Sequence, residues 1–198
     1  MKRHSVVPDK NREPILKVLA GALPVTGTVL EIGSGTGQHV VFFARKLPSV
    51  TWQPSELDGA NLDSIAAWRR EAALPNLRAP LTIDVTKEKW DTEPVPAIVA
   101  IDLVQSSSWP ACVGLLRGAA RYLTTGGVLI LYAPFIQDDR PSPALEALDA
   151  ELRRKNPSWG VRHLEAVVAV ATSRGLVLEQ VVEMDAPYLT LILRRVAG

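Results

Sequence analysis

A single cysteine, Cys112, leaves this chain no disulfide to close on itself, which fits a reducing compartment. The histidines number only three and are scattered, so no zinc site is expected. An excess of charge of either sign is also missing: 22 Lys and Arg face 21 Asp and Glu. A nucleic-acid-binding surface concentrates positive charge, and that class of partner is not expected here. The longest apolar runs, "PAIVAIDLV" and "GVLILYAPF", are too short to cross a bilayer. The opening "MKRHSVVPDKNREP" contains no apolar segment of signal-peptide length. Repeats and low-complexity blocks are absent as well. A soluble cytoplasmic protein with no membrane partner is therefore the expectation. Residues 1–198 read as one domain, with the oligomeric state open and a homodimer as one option.

What is present is a regular alternation. A helix is expected to start near Pro14, with Ile15, Val18, Leu19 and Ala22 on one face and "LPVTG" as its stop. The apolar run "TVLEI" follows as a buried strand, "TGQHVVFFARKLP" as a helix, "VTWQPSEL" as a strand and "ANLDSIAAWRREAA" as a helix. "APLTIDV", "AIVAIDLV" and "GVLILYAPF" are the third to fifth strands, with the helix "WPACVGLLRGAARYL" before the fifth. Nearly continuous apolar strands alternating with helices predict a parallel sheet covered on both faces. Near the end, helices from "PALEALDAELRRK" and "RHLEAVVAVATSRG" precede the strands "LVLEQVVEM" and "YLTLILRRV". Only "DAP" separates these two strands, so they pair antiparallel. Five parallel strands closed by an antiparallel hairpin, order 3-2-1-4-5-7-6, resemble the class I methyltransferase form of the Rossmann-like doubly wound α/β sheet.

The stretch "VLEIGSGTGQHV" carries the chemistry. Ligands of doubly wound sheets bind beyond the carboxyl ends of the strands, where strand order reverses, and the first strand delivers Glu31 to Gly37 to that edge. A dinucleotide site needs G-x-G-x-x-G, whose third glycine faces a pyrophosphate. Here Gln38 occupies the sixth position and the extra glycine is Gly37. An acid two residues before the first glycine suits an α-ammonium group and would repel a pyrophosphate. The pattern thus favours S-adenosylmethionine over a nicotinamide dinucleotide. Glu56 follows the second strand, where a carboxylate can accept two ribose hydroxyls; the plainer alternative is an ordinary acid near a helix start. Asp84 ends the third strand, placed for an adenine amino group or, equally, as the cap of the next turn.

These residues resemble the methyltransferase-like 26 proteins, also known as domain of unknown function 938, over nearly the whole chain. "NREPIL", "GTVLEIGSGTGQHVVFFARKLPSVTWQPSELD", "SIAAWRREAALPN" and "NPSWGVRHLE" carry the resemblance. It implies a class I fold and S-adenosylmethionine as cofactor. The expected cofactor contacts are Glu31, Gly33, Ser34, Gly35, Gly37, Glu56, Leu57, Asp84, Val85 and Asp102. The chain departs from the family's wording on the acceptor side. Asp102 stands where an asparagine is usual and Gln105 where a histidine is usual. Pro143 lies near the place of another asparagine, and Pro187 and Tyr188 replace an asparagine pair.

With that histidine gone, the obvious base of near-neutral pKa is gone too. Gln105 can orient a substrate but takes no proton. Asp102 can act as base, hydrogen-bond an acceptor, or simply cap its segment. Methyl transfer governed by alignment, with little base catalysis, is the expected mechanism, and Asp102, Gln105 and Tyr132 are the candidate catalytic residues. The expected function is a small-molecule methyltransferase of specialised metabolism. The alternative is a protein that binds S-adenosylmethionine and steers a cyclisation, elimination or rearrangement without spending the methyl group.

His39 is expected to pack or sit beside the cofactor, and His163, next to Arg162 on a late helix, to lie at the surface. Asp138 and Asp139, taken with Asp102, resemble the carboxylate set of magnesium-dependent O-methyltransferases, but solvated loop acids are the expected reading. Trp109 stands near a strand end, where it can pack or face a ligand; Trp52, Trp68, Trp90 and Trp159 read as packing residues. Lys10, Asn11 and Arg12 precede the expected first helix, as a lid over the site or as plain solvated chain.

Overall fold

The structure, a computed structural model, describes residues 1–197. Gly198, the last residue of the expected domain, lies outside the described residues. Helix α1 (Val6–Ala22) is followed by β1 (Gly27–Ile32), α2 (Gln38–Lys46), β2 (Val50–Glu56), α3 (Gly59–Ala72), β3 (Leu81–Thr82) and β4 (Val95–Ile101). Then come α4 (Trp109–Tyr122), β5 (Leu123–Ile136), α5 (Pro143–Lys155), β6 (Arg162–His163), α6 (Leu164–Thr172), β7 (Leu176–Glu183) and β8 (Tyr188–Arg195).

The sheet runs β3-β2-β1-β4-β5-β8-β7, with β6 paired beside β5. Its first five strands are parallel and β8 runs antiparallel to both β5 and β7. This is the expected order; the two-residue β6 shifts the hairpin's numbering by one. Strand β1 pairs with β2 on one side and β4 on the other, so the order reverses at β1.

Successive side chains of a strand face opposite ways, and the alternation divides the core. Leu30, Ile32, Ile98, Leu129 and Leu131 pack with Leu115 and Leu116 of α4 and Val167 of α6. Val29, Val99, Val128 and Ile130 pack with Ile15 and Leu19 of α1 and with Val40 and Phe43 of α2. The indole of Trp52, fully buried, lies 5.6 Å from the Phe43 ring in that second layer.

Four local expectations are corrected. Helix α1 begins at Val6, so Lys10, Asn11 and Arg12 belong to the helix and Pro14 lies inside it. The early turns carry little apolar pattern: Val6 and Val7 are exposed. Tertiary contacts stabilise them instead. The Ser5 side chain accepts from Val7 N, the backbone of Ser5 is clasped by Gln38, and Arg12 lies over the Phe42 ring. The third strand is only two residues long, because Pro80 has no N–H to give and Asp84 turns the chain soon after. Arg162 and His163 lie in β6, and α6 starts only at Leu164. Trp159, expected only to pack, also lines the crevice described next.

Candidate functional site

At the reversal point, the loop after β1 and the segment after β4 face each other across a crevice of about 440 Å³, a size ordinary for a small-molecule site. The glycine loop forms one wall with Gly33, Ser34, Gly35 and Thr36, joined by Glu56. Asp102, Leu103 and Ser106 form the opposite wall, with Trp159 beside them, and Ser5, Val7 and Pro8 of the N-terminal segment close the side.

The glycines are bare for different reasons. Gly35 has φ +54° and a Cβ built on it would meet nothing within 4 Å. Gly37 has φ +91°, and its Cβ would come within 3.0 Å of the Ile65 backbone in α3. Gly37 is therefore needed for helix packing as well as for the turn, while Gly35 leaves open space.

Behind the loop, Glu31 is 1% exposed. Burial raises its pKa to about 8, against a lowering hydrogen bond from Ser34 and with a smaller push from the charge of Glu56. Its Oε2 atom is buried without a hydrogen-bond partner among the described residues, a costly arrangement that a cationic ligand group would relieve. Glu56 accepts from Gly35 N and Leu57 N, both at 2.8 Å, so its carboxylate ties the end of β2 to the loop. The loop is also held by Ser34 N donating to Ser55 O and by Ser64 Oγ donating to Thr36 O.

The opposite wall has its own polar cluster. Asp102 has φ +57°, a left-handed conformation in which Asp and Asn are the commonest non-glycine residues. Its N–H donates to Tyr132 O at 2.9 Å, and Gln105 Nε2 donates to its Oδ1 at 2.8 Å. Burial raises the Asp102 pKa, while hydrogen bonds from Gln105 and then Asn11 lower it. Gln105 is buried, and its Oε1 has no partner among the described residues. Tyr132 is also buried and stacks on Tyr188 at 5.0 Å between ring centroids. Burial and then the Asp102 charge hold its phenol well above the usual pKa.

His39 lines the crevice from α2, stacks on Phe43, and places Nε2 2.8 Å from Asn11 Oδ1. Burial and then Arg12 lower its pKa to about 4, so the imidazole is neutral near pH 7. Ser5 carried no signal in the sequence, and Asn11 carried only its place in "NREP", read as a lid or solvated chain. That proximity to the start of a helix cannot say what the helix touches. Gln38, noted only as a break in the dinucleotide pattern, accepts from Ser5 N at 2.6 Å and donates to Ser5 O at 3.0 Å.

Gly33, Ser34, Gly35, Glu56 and Asp102 thus line one crevice, with Glu31 and Gly37 immediately behind it and Gln105 and Tyr132 behind the facing wall. Asp84, Leu57 and Val85 do not line it. Asp84 caps its own turn, accepting from Thr86 N and Thr86 Oγ1, and these bonds lower its pKa. Leu57 is exposed, and Val85 packs against the core near α4. His163 is exposed and pairs with Asp139 at 2.8 Å. No group of three or more candidate metal ligands occurs among the described residues, and no described helix is long and apolar enough to cross a membrane.

The sheet order, the glycine loop and the crevice define the class I methyltransferase fold. An O-methyltransferase family protein from Burkholderia thailandensis superposes with TM-score 0.78 at 19% identity, over 96% of this chain and 58% of that one. The mitomycin 7-O-methyltransferase MmcR gives 0.79 at 18%, over 96% and 54%. A methyltransferase in calicheamicin biosynthesis, in its SAH-bound form, gives 0.74 at 16%, also over 96% and 54%. The chain spans a little over half the length of these structures. A family model described as "Protein of unknown function (DUF938)" matches residues 2–195. The chain belongs to that family.

Proposed function

We propose that this chain is an S-adenosylmethionine-dependent methyltransferase acting on a small-molecule acceptor in specialised metabolism, with residues 1–198 as one cytoplasmic catalytic unit. Narrower kinship with the methyltransferase-like 26 proteins is part of the same reading. The observation that carries it is Glu31, a buried carboxyl with one oxygen unpartnered at the root of the glycine loop. A site built for a pyrophosphate would not keep an acid there, whereas the α-ammonium of an amino-acid cofactor matches it in charge and hydrogen bonding.

Bound in this crevice, the cofactor supplies an electrophilic methyl group on a positively charged sulfur. Glu31 would meet its ammonium, the open space at Gly35 would admit its body, and Glu56 would accept from its ribose hydroxyls. Ser5, Val7 and Pro8 of the N-terminal segment border the same space. Asp102, aimed from the facing wall, orients the acceptor's hydroxyl or amine and receives its proton. His39, held neutral and with a low pKa, is a weak base. Alignment of the acceptor therefore contributes more than proton removal does.

The low basicity of His39, together with Gln105 in place of a histidine, favours one second reading: a reaction steered by the cofactor's charge with its methyl retained. Two measurements test the pair. Calorimetric titration with S-adenosylmethionine should give binding that Gly35→Asp abolishes; unchanged affinity in that variant removes both readings. During turnover, S-adenosylhomocysteine should appear in step with product; product without it selects the second reading.

A further inference from the structure

We infer that Trp159 is the face on which the crevice receives its methyl acceptor, and that this acceptor is a planar ring, neutral or cationic, bearing a hydroxyl or an amine. The inference rests on the reading of the crevice as a methyltransferase site and names its substrate class.

The stretch "NPSWG" forms a tight turn between α5 and β6. Asn156 Oδ1 accepts from Ser158 N at 3.0 Å and from Ser158 Oγ at 2.8 Å, and Asn156 O accepts from Trp159 N at 2.9 Å. The turn is also fastened from outside. Val161 N donates to Asp149 Oδ1 of α5 at 2.8 Å. Gly160 N donates to Gln105 O at 3.0 Å and Arg162 Nη2 donates to Ser107 O at 2.6 Å, both acceptors lying in the segment between β4 and α4. Trp159 is thereby tied to the segment that carries Asp102 and Ser106, and all three line the crevice across from the glycine loop. Such bonds fix the backbone of the tryptophan before any ligand arrives, which lowers the ordering cost of binding.

Packing alone does not account for this residue. Trp159 packs against the small cluster of Leu145, Leu152 and Val161 but stays half-buried. Trp52 and Trp90, which serve the main layers, are only 0% and 5% exposed. A tryptophan left partly open on a rigid turn beside a cavity offers a broad, flat apolar surface with few rotatable bonds. Ile101 and Leu103 add apolar surface to the same crevice. Charge narrows the class further. Among the described residues the lining holds the acids Glu56 and Asp102 and no Lys or Arg, and its imidazole, His39, is neutral near pH 7. Arg162, the cation of the turn, is committed to the carbonyls of Ser107 and Ser158. An acceptor with a carboxylate or phosphate would find no cationic side chain on this wall, whereas a hydroxyl or amine can donate to Asp102.

The test uses the full-length protein with S-adenosylhomocysteine bound and β-naphthol as the planar neutral probe. The Trp159 indole N–H signal, identified in NMR spectra by its loss in Trp159→Phe, should shift as β-naphthol is added. Trp159→Ala should weaken β-naphthol binding by about tenfold and Trp159→Phe by about threefold, the larger loss falling on β-naphthol rather than on S-adenosylhomocysteine. Saturated decahydro-β-naphthol and anionic β-naphthoate should each bind the wild type about tenfold more weakly than β-naphthol. A purely structural role would move neither the indole signal nor the preference for a planar ring. A folded Trp159→Ala protein that binds β-naphthol as the wild type does overturns the inference, as does wild-type protein that binds S-adenosylhomocysteine but not β-naphthol. Equal binding of β-naphthoate overturns the charge preference. If the alanine variant does not fold, the phenylalanine variant and the indole signal decide the matter. Failure of the wild type to bind S-adenosylhomocysteine would instead remove the proposed function, and the β-naphthol titration of the free protein would still decide whether Trp159 receives a ring.

Discussion

At Glu31 a single side chain links strand, pH and ligand. The native carboxyl, with its pKa near 8, holds a proton that the unfolded chain loses near the ordinary value of 4.5. Between those two values the native state binds more protons, so unfolding free energy falls as pH rises, by roughly 5 kcal/mol at most across the window. Glu31→Gln should flatten that slope in urea titrations run at several pH values; a slope equal to the wild type's would show that Glu31 does not titrate there. The same residue predicts a linkage to binding. An ammonium beside Oε2 favours the carboxylate, so S-adenosylmethionine binding at pH 7 should release protons to the buffer. Calorimetry in phosphate and in Tris should give different apparent enthalpies for the wild type, and the difference should vanish in Glu31→Gln. The acid and the chemistry of its partner were legible in the sequence. Its burial and its unpartnered oxygen were not, because both depend on Ser34, Glu56 and the strands on either side.

Among the elements, α4 illustrates how helix packing holds the facing wall. Gly118 presents no side chain to Trp90, and a Cβ there would lie 1.9 Å from the indole. The indole in turn stacks on Tyr122, 5.3 Å away, and the Tyr122 hydroxyl bridges the Trp90 backbone, accepting from N and donating to O. A connection rich in charge, "TKEKWDTEPVP", is thereby anchored under the helix by its one aromatic residue. Gly118→Ala should lower stability by about 1–3 kcal/mol through overpacking, seen as a lower urea midpoint with an unchanged m-value. A neutral result would mean that Trp90 shifts freely. The central strands and α3 were legible from apolar runs and helical spacing, although β4 ends at Ile101, before Asp102, and β5 begins earlier, at Leu123. The start of α1 was not. Its first two turns are ordered by contacts from Gln38 and His39, partners far along the chain that no local pattern announces.

Across the full chain, the sheet order places the glycine loop after β1 opposite Asp102 after β4, and α1 spans the gap between these halves. Any ligand that fills the crevice selectively in the native state raises the unfolding temperature. S-adenosylhomocysteine at a hundredfold excess over its dissociation constant should raise the thermal midpoint by about 5–10 °C for a chain of this size. NAD at the same concentration should leave it unmoved, since Gln38 is engaged with Ser5 and Glu31 disfavours a pyrophosphate. A shift with NAD and none with S-adenosylhomocysteine would reverse the cofactor assignment.

The alternation of strands and helices, the closing hairpin, the strand order and the loop that bears the glycines were all written in the amino-acid order. They follow from local periodicity, turn chemistry and the few topologies open to a parallel sheet. Three features waited for the packed molecule: Asp84 caps its own turn at Thr86, Gly37 is bare for Ile65, and Asn11 reaches His39. Each depends on which side chain is nearest in space, and that is set by the packing of layers brought together from distant parts of the chain.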